Sequence, residues 1–202
     1  MPADELTLHA ARRLANYLIA AKIRIVLAES CTAGNVAGTL ALTPGISASL
    51  CGCFVIYRND SKMQWLGVPK SLIDDPQIGP VSAQVTAHLA DRALRATPEA
   101  AVGIAVTGHL GPGSPVGLDG RLFLAVTQRG NAAVIERTRQ LTIGPAGGSS
   151  NLEMRQSRMT QCTQWVLNET LQVLTTAFPE TCELETDVSQ PAQDGERRAT
   201  KN

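Results

Sequence analysis

Aromatic residues are scarce, at 3% of the 202-residue chain. The stacking platforms that hold single-stranded nucleic acids are therefore missing. Net charge is absent as well, since Lys plus Arg and Asp plus Glu both total 18. Such a chain has no global attraction for a nucleic acid or an anionic membrane, and any anion it binds must be met locally. No apolar run approaches the roughly 18–20 residues of a spanning helix, and Met1 to Glu5 is acidic where a signal peptide is basic and then apolar. The expectation is a cytoplasmic protein with neither a nucleic-acid nor a membrane partner.

Metal-binding patterns are missing too. His9, His88 and His109 lie far apart and form no H-E-x-x-H pattern. Cys31, Cys51, Cys53, Cys162 and Cys182 are an odd, scattered set without C-x-x-C spacing, which argues against a disulfide framework and against zinc. Cys51 and Cys53 flank Gly52 in an apparent strand, so both are expected on one side as small buried hydrophobes. No metal and no cofactor is expected.

What is present is an alternation of periodic segments. Leu14 and Leu18, with Ala11 and Ala15, place an amphipathic helix between Glu5 and Lys22. Ile23 to Ala28 reads as a buried strand, Cys31 to Thr43 as a crossover helix stopped by Pro44-Gly45, and Leu50 to Tyr57 as a second strand. Asn59 is placed as the N-cap of a short helix to Leu66, which sets Lys62 at its third position; a helical turn is expected within Ser71 to Pro80. Ser82 then caps a helix through Arg95, and Ala100 to Val106 is another buried strand. Arg121 to Thr127 and Ala133 to Ile143 form a hairpin near Gly130, Gly144 to Asn151 a loop, and Leu152 to Thr176 a terminal helix. After Pro179 the chain turns polar, so residues 1–177 are expected as one domain and 178–202 as a disordered tail. The fold class is α/β, a three-layer α/β/α sandwich around a mixed, mostly parallel sheet.

Ligands in such folds gather at the carboxyl ends of strands, and Ser30, Tyr57 and the loop after Thr107 all fall at such ends. Ser30 has two readings on one geometry: a helix N-cap, or a nucleophile with first-turn amides nearby to hold negative charge. The capping-box partner is missing, because the third residue on is Ala33. Glu29 either caps or orients a ligand. Lys62 is a cation in a helix's first turn, the wrong end for the macrodipole, where burial would favour a neutral amine able to act as a base. Tyr57 can relay a proton or simply sit with its polar tip in water. Thr107 to Gly117 holds four glycines, suited to close backbone approach to an anion, yet matches neither a P-loop nor a dinucleotide fingerprint.

Taken together, Glu29-Ser30-Cys31-Thr32-Ala33-Gly34, then Tyr57, Asn59 and Lys62, then Gly79-x-Val81-Ser82, then Thr107-Gly108-x-x-Gly111-Pro112-Gly113 resemble the CinA C-terminal domain family. The stand-alone form of that family is nicotinamide-nucleotide amidase. The resemblance covers about residues 5 to 176 and implies metal-free hydrolysis of nicotinamide mononucleotide to nicotinate mononucleotide and ammonia. It implies Ser30 as nucleophile with Tyr57 and Lys62 as its activating partners. The expected substrate-binding set is Glu29, Cys31, Thr32, Gly34, Asn59, Thr107, Gly108, Gly111, Gly113 and Arg155, with turn amides such as those of Cys31 and Thr32 as candidate oxyanion donors. The expected partners are a small-molecule nucleotide substrate and further copies of the chain in a homo-oligomer.

The sequence departs from the family pattern on the substrate side. Ala33 stands for a usual glycine and Arg58 for a usual serine; the glycine loop is shortened and lacks its lysine. The usual Gly-Asp-Arg before the last helix is replaced by Gly144-Pro145-Ala146-Gly147-Gly148, while Arg155 keeps a later family arginine. Two readings are open: a Ser-Lys amidohydrolase, or a relative that kept the fold to bind a nucleotide or partner without turnover.

Overall fold

A computed structural model describes residues 4–131, 133–141 and 150–177. The tail expected from 178 onward and most of the loop expected from Gly144 to Asn151 lie outside them. In chain order the elements are α1 (Glu5–Ala20), β1 (Ile25–Glu29), α2 (Asn35–Leu40), a 3-10 turn (Ile46–Ala48), β2 (Leu50–Val55), α3 (Asn59–Leu66), α4 (Lys70–Asp74), α5 (Ala83–Ala96), β3 (Val102–Gly108), β4 (Arg121–Gln128), β5 (Val134–Gln140) and α6 (Asn151–Ala177). One five-stranded sheet has the order β2-β1-β3-β4-β5. β1 pairs in parallel with both β2 and β3, whereas β4 runs antiparallel to β3 and to β5. This is the mixed three-layer α/β/α sandwich that the alternation of segments predicts.

Two separate apolar layers arise from the period of two along each strand. Ile25 and Leu27 of β1, with Val102, Ile104 and Val106 of β3, face α1 and α6. Val26, Ala28, Ala105 and Ala125 face α5. The small residues on that second face let α5 come very close: a Cβ on Gly103 would lie 2.4 Å from the Ala90 carbonyl oxygen. α5 starts as the sequence predicts, with the Ser82 hydroxyl accepting from Val85 N at 3.2 Å.

Three expectations are corrected by the backbone. Cys51 and Cys53 do not share a side: Cys51 packs on the α5 layer and Cys53 on the α1/α6 layer. The register slips between Ile25↔Leu50 and Val26↔Gly52, and one extra residue in β2 reverses the parity of the residues after it. The crossover helix begins only at Asn35, because Ala33 (φ 52°) and Gly34 (φ 91°) are left-handed and cannot continue a right-handed turn. Finally, Arg58 and not Asn59 is the N-cap of α3, with no side-chain cap bond, which moves Lys62 to the fourth helical position.

Candidate active site

The carboxyl ends of β1, β2 and β3 converge on a pocket of about 230 Å³. Ser30, Cys31, Tyr57, Asn59 and Lys62 line it from the β1 and β2 side, Gly108 to Ser114 from the loop after β3, Pro80 and Val81 from the segment before α5, and Arg155 from α6. The volume is below the roughly 300–1,000 Å³ typical of drug-sized ligand sites, so the cavity suits one ring or headgroup with the remainder at the rim.

Ser30 is held by the sheet and not by a helix. Its amide donates to Val106 O at 3.1 Å, and its carbonyl accepts from Ala33 N at 3.2 Å, closing the turn that separates β1 from α2. The N-cap reading therefore fails on geometry, since α2 starts five residues later and its cap belongs to another side chain. Glu29 supplies it. That carboxylate is fully buried and accepts from Gly34 N (2.9 Å), Val36 N (3.2 Å) and Ala37 N (2.8 Å). A carboxylate at a helix N-terminus meets both the orphan amides and the positive end of the dipole. Three of the turn's amides are thus occupied, counting Asn35 N, which donates to Thr32 O at 3.0 Å, with Ala33 N and Gly34 N. The amides of Cys31 and Thr32, directly after Ser30, find no acceptor among the described residues. Both amides belong to the turn that opens at Ser30, and Cys31 lines the pocket beside it.

Lys62 is 2% exposed, and its Nζ donates to Pro80 O at 2.7 Å. Burial pushes its pKa down to about 8, against a smaller opposing pull from the Cys31 thiol. No direct hydrogen bond joins its amine to the Ser30 hydroxyl; the two groups share the pocket wall. Tyr57 is half exposed at the rim, where its hydroxyl accepts from Arg155 Nη2 at 2.5 Å. Arg155 Nη1 donates to Gly111 O at 2.6 Å, so one guanidinium ties the end of β2 to the glycine loop.

The loop is braced from beneath by a second arginine one helical turn on. Arg158, 1% exposed, makes two parallel bonds to the Asp119 carboxylate at 2.9 and 2.8 Å. Hydrogen bonding to Arg158 holds the Asp119 carboxyl below the usual carboxylate range. Gly111 (φ 60°) lies against this pair, and a Cβ there would sit 2.7 Å from Arg158 Nη1 and 2.9 Å from Asp119 Oδ1. Gly108 is equally tight, with Leu122 Cδ2 2.5 Å from its would-be Cβ.

Of the residues the sequence singles out, Ser30, Cys31, Tyr57, Asn59, Lys62, Gly108, Gly111, Gly113 and Arg155 meet at this pocket. Glu29, Thr32, Gly34 and Thr107 do not line it. Glu29 and Gly34 build the turn, Thr32 is buried, and the Thr107 hydroxyl is paired with Thr86 Oγ1 at 2.8 Å inside the fold. The pocket also holds a residue that sequence reading weighs only as a metal ligand. His109 is half-buried in its wall, with its pKa lowered by burial and by Lys62 and raised in part by Asp119. Its position inside the glycine loop was the available signal. Among the described residues, no cluster of three or more His, Cys, Asp or Glu side chains is placed to hold a metal ion, and no helix is long and apolar enough to cross a membrane.

Fold and site define an α/β/α sandwich protein with a serine and a buried lysine at the strand ends. The CinA C-terminal domain profile matches residues 7–168, and the chain belongs to that family. A CinA-like protein of Chlorobium luteolum is 34% identical over 139 residues, covering 68% of this chain and 29% of the relative. One from Geobacter metallireducens is 40% identical over 107 residues, 52% of this chain and 25% of the relative. The chain thus spans about a quarter of the length of these relatives. Among solved structures, the competence/damage inducible protein CihA from Agrobacterium tumefaciens superposes with a TM-score of 0.69 at 28% identity, covering 85% of this chain and 99% of that one. A competence-damaged protein (CinA) superfamily protein from Escherichia coli gives 0.71 at 26% identity, over 86% and 94%.

Proposed function

We propose that the chain is a metal-free amidohydrolase of the Ser-Lys type, deamidating nicotinamide mononucleotide to nicotinate mononucleotide and ammonia. The observation that carries this reading is Lys62, a lysine 2% exposed with its pKa brought down to about 8, in the same small pocket as Ser30. Roughly a tenth of such an amine is neutral at pH 7, against less than a thousandth of an ordinary lysine. The substrate identity comes from the family resemblance.

In this mechanism neutral Lys62 takes the Ser30 proton, through Tyr57 or a water, as Oγ attacks the carboxamide carbon. The carbonyl oxygen gains negative charge and is met by the Cys31 and Thr32 amides. Collapse breaks the C–N bond, with the proton from Lys62 passing to departing ammonia. Water then attacks the acyl-serine ester with Lys62 accepting its proton; Lys62 returns that proton to Ser30 Oγ as the ester C–O bond breaks, and the acid leaves and ionises to the carboxylate product. A cationic pyridinium in the pocket would disfavour protonated Lys62 further and make the carboxamide carbon more electrophilic.

Incubating the purified chain with nicotinamide mononucleotide should release ammonia and nicotinate mononucleotide in equal amounts, and Ser30→Ala should lower the rate by about 10³-fold or more. No release, or equal release by Ser30→Ala, overturns the reading. One observation favours a second: Lys62 donates to Pro80 O and makes no direct bond to Ser30. A chain that binds a nucleotide without turnover would show calorimetric binding and no ammonia.

A further inference from the structure

Cys31 and Cys162 face each other with their sulfurs 4.0 Å apart, although 131 residues separate them in the chain. Cys31 sits in the turn directly after Ser30 and lines the pocket, while Cys162, on α6, is fully buried beneath it. We infer that this pair is a reversible thiol-oxidation site, in which a hydroperoxide entering the substrate pocket oxidises Cys31 and Cys162 resolves it as a disulfide.

The geometry gives the two sulfurs different tasks. Cys31 is the one of the two that lines the pocket, and it lies close enough to Lys62 for the two groups to interact electrostatically. A hydroperoxide in the pocket therefore meets the Cys31 sulfur first, with the Cys162 sulfur behind it. Cys162 is sealed in the core, and the hydrogen bond to Cys31 together with burial pushes its pKa up, so it does not start the reaction. In the first step the Cys31 thiolate attacks one peroxide oxygen, the O–O bond breaks, and Cys31 sulfenic acid and an alcohol or water are formed. In the second the Cys162 sulfur attacks the Cys31 sulfur, hydroxide leaves and takes up the Cys162 proton as water. Two thiols are oxidised and one peroxide is reduced. A thiol placed next to a resolving cysteine is the arrangement by which sulfenic acids become disulfides and are spared further oxidation.

Closing the gap from 4.0 Å to a bond near 2.05 Å moves Cys31. Cys51 and Cys53 offer no such partnership, since they lie on opposite faces of β2.

The test is to titrate the full reduced chain with hydrogen peroxide and map thiols by mass spectrometry of non-reduced digests. The expected result is an intact-mass loss of about 2 Da, a Cys31–Cys162 crosslinked peptide, and full reversal by dithiothreitol. In Cys162→Ala the crosslink should vanish and Cys31 should proceed to the sulfinic acid. Crosslinks confined to Cys51, Cys53 or Cys182 overturn the inference. So does a Cys31 that stays reduced while methionines oxidise, or a Cys31 that reaches the sulfinic acid equally fast in wild type and Cys162→Ala. The mapping is read whether or not the chain hydrolyses an amide, so its failure and that of the amidase reading are distinguishable.

Discussion

Lys62 Nζ donates to Pro80 O at 2.7 Å, which joins the fourth residue of α3 to the segment that leads into α5. That one bond occupies the buried amine in either protonation state, but satisfies the ammonium less well, since an ammonium has three protons to place. The buried setting thus disfavours the ammonium and lowers the Lys62 pKa to about 8.

The first prediction is a pH dependence. With the Lys62 pKa lowered to about 8, kcat/KM for amide hydrolysis should rise about tenfold per pH unit below that value and level off above it. A pH–rate profile that is flat from 6 to 9 excludes Lys62 as the base.

The same shift has a cost in stability. The folded pKa lies below the ordinary value of 10.5, so the unfolded chain binds more protons between about pH 8 and 10.5 and stability rises with pH through that window. Below about 8 the penalty is fully present, at most about 3 kcal/mol. Lys62→Met should therefore lose about 10³-fold or more in activity while gaining roughly 1–2 kcal/mol at pH 7, or about 2–6 °C in Tm. Thermal denaturation of the inactive variant checks it; a lowered Tm contradicts the burial argument.

Glu29 gives the next prediction, and it concerns folding. Its carboxylate accepts three backbone amides at the start of α2, so Glu29→Ala leaves buried donors unpaired and should cost about 2–4 kcal/mol. Glu29→Gln keeps an acceptor oxygen and should cost less than half of that. Urea denaturation with unchanged slope would show the loss, and a rise in KM without any loss of stability would mean the residue serves substrate instead.

Much of the site is legible in the sequence, and the part that is not has a physical cause. Apolar runs that stop at Glu29, Tyr57 and Thr107 give away the strand ends, and those ends bring Ser30, Lys62 and the glycine loop together. The sequence starts the helix after Ser30 too early because Cys31 to Ala33 are compatible with a helix, and only the left-handed backbone at Ala33 and Gly34 takes them out of it. Side-chain partners are out of reach for a further reason. Glu29 reaches amides five to eight residues on, and Arg158 reaches Asp119 across 39 residues. Neither pairing leaves a spacing signature, because the sheet and not the sequence sets those distances.

Gly111 and Gly113 should respond differently to the same change. Both are left-handed, at φ 60° and 81°, but a Cβ on Gly113 meets open space while one on Gly111 runs into Arg158 and Asp119. Gly113→Ala should therefore cost about 1 kcal/mol of backbone strain with a KM within a fewfold of wild type. Gly111→Ala adds the displacement of the half-buried Asp119–Arg158 pair, so KM should rise by about tenfold or more. Steady-state kinetics on the two variants decide it, and equal effects would show that the brace under the loop is slack.

The Asp119–Arg158 pair carries the last prediction. Arg158 is 1% exposed, so removing the carboxylate strands a buried guanidinium whose Nε already lacks a partner among the described residues. Breaking a fully buried pair costs about 3–5 kcal/mol. The Asp119 carboxylate is 47% exposed, and water can partly replace it, which brings the expected loss for Asp119→Asn to about 2 kcal/mol. The carboxyl pKa is depressed in the folded state, so the pair stabilises above the ordinary value near 3.9 and its contribution fades as pH falls through the lower folded value. Wild type should lose stability more steeply than Asp119→Asn below about pH 4. In Arg158→Met both charges' demands change together: the buried cation is gone and Asp119 turns to solvent. That variant should be closer to wild type in stability than Asp119→Asn, yet share its raised KM, because Gly111 has lost its floor in both. Acid denaturation curves of the three proteins, read beside their KM values, separate a brace that positions the loop from one that merely holds α6 in place.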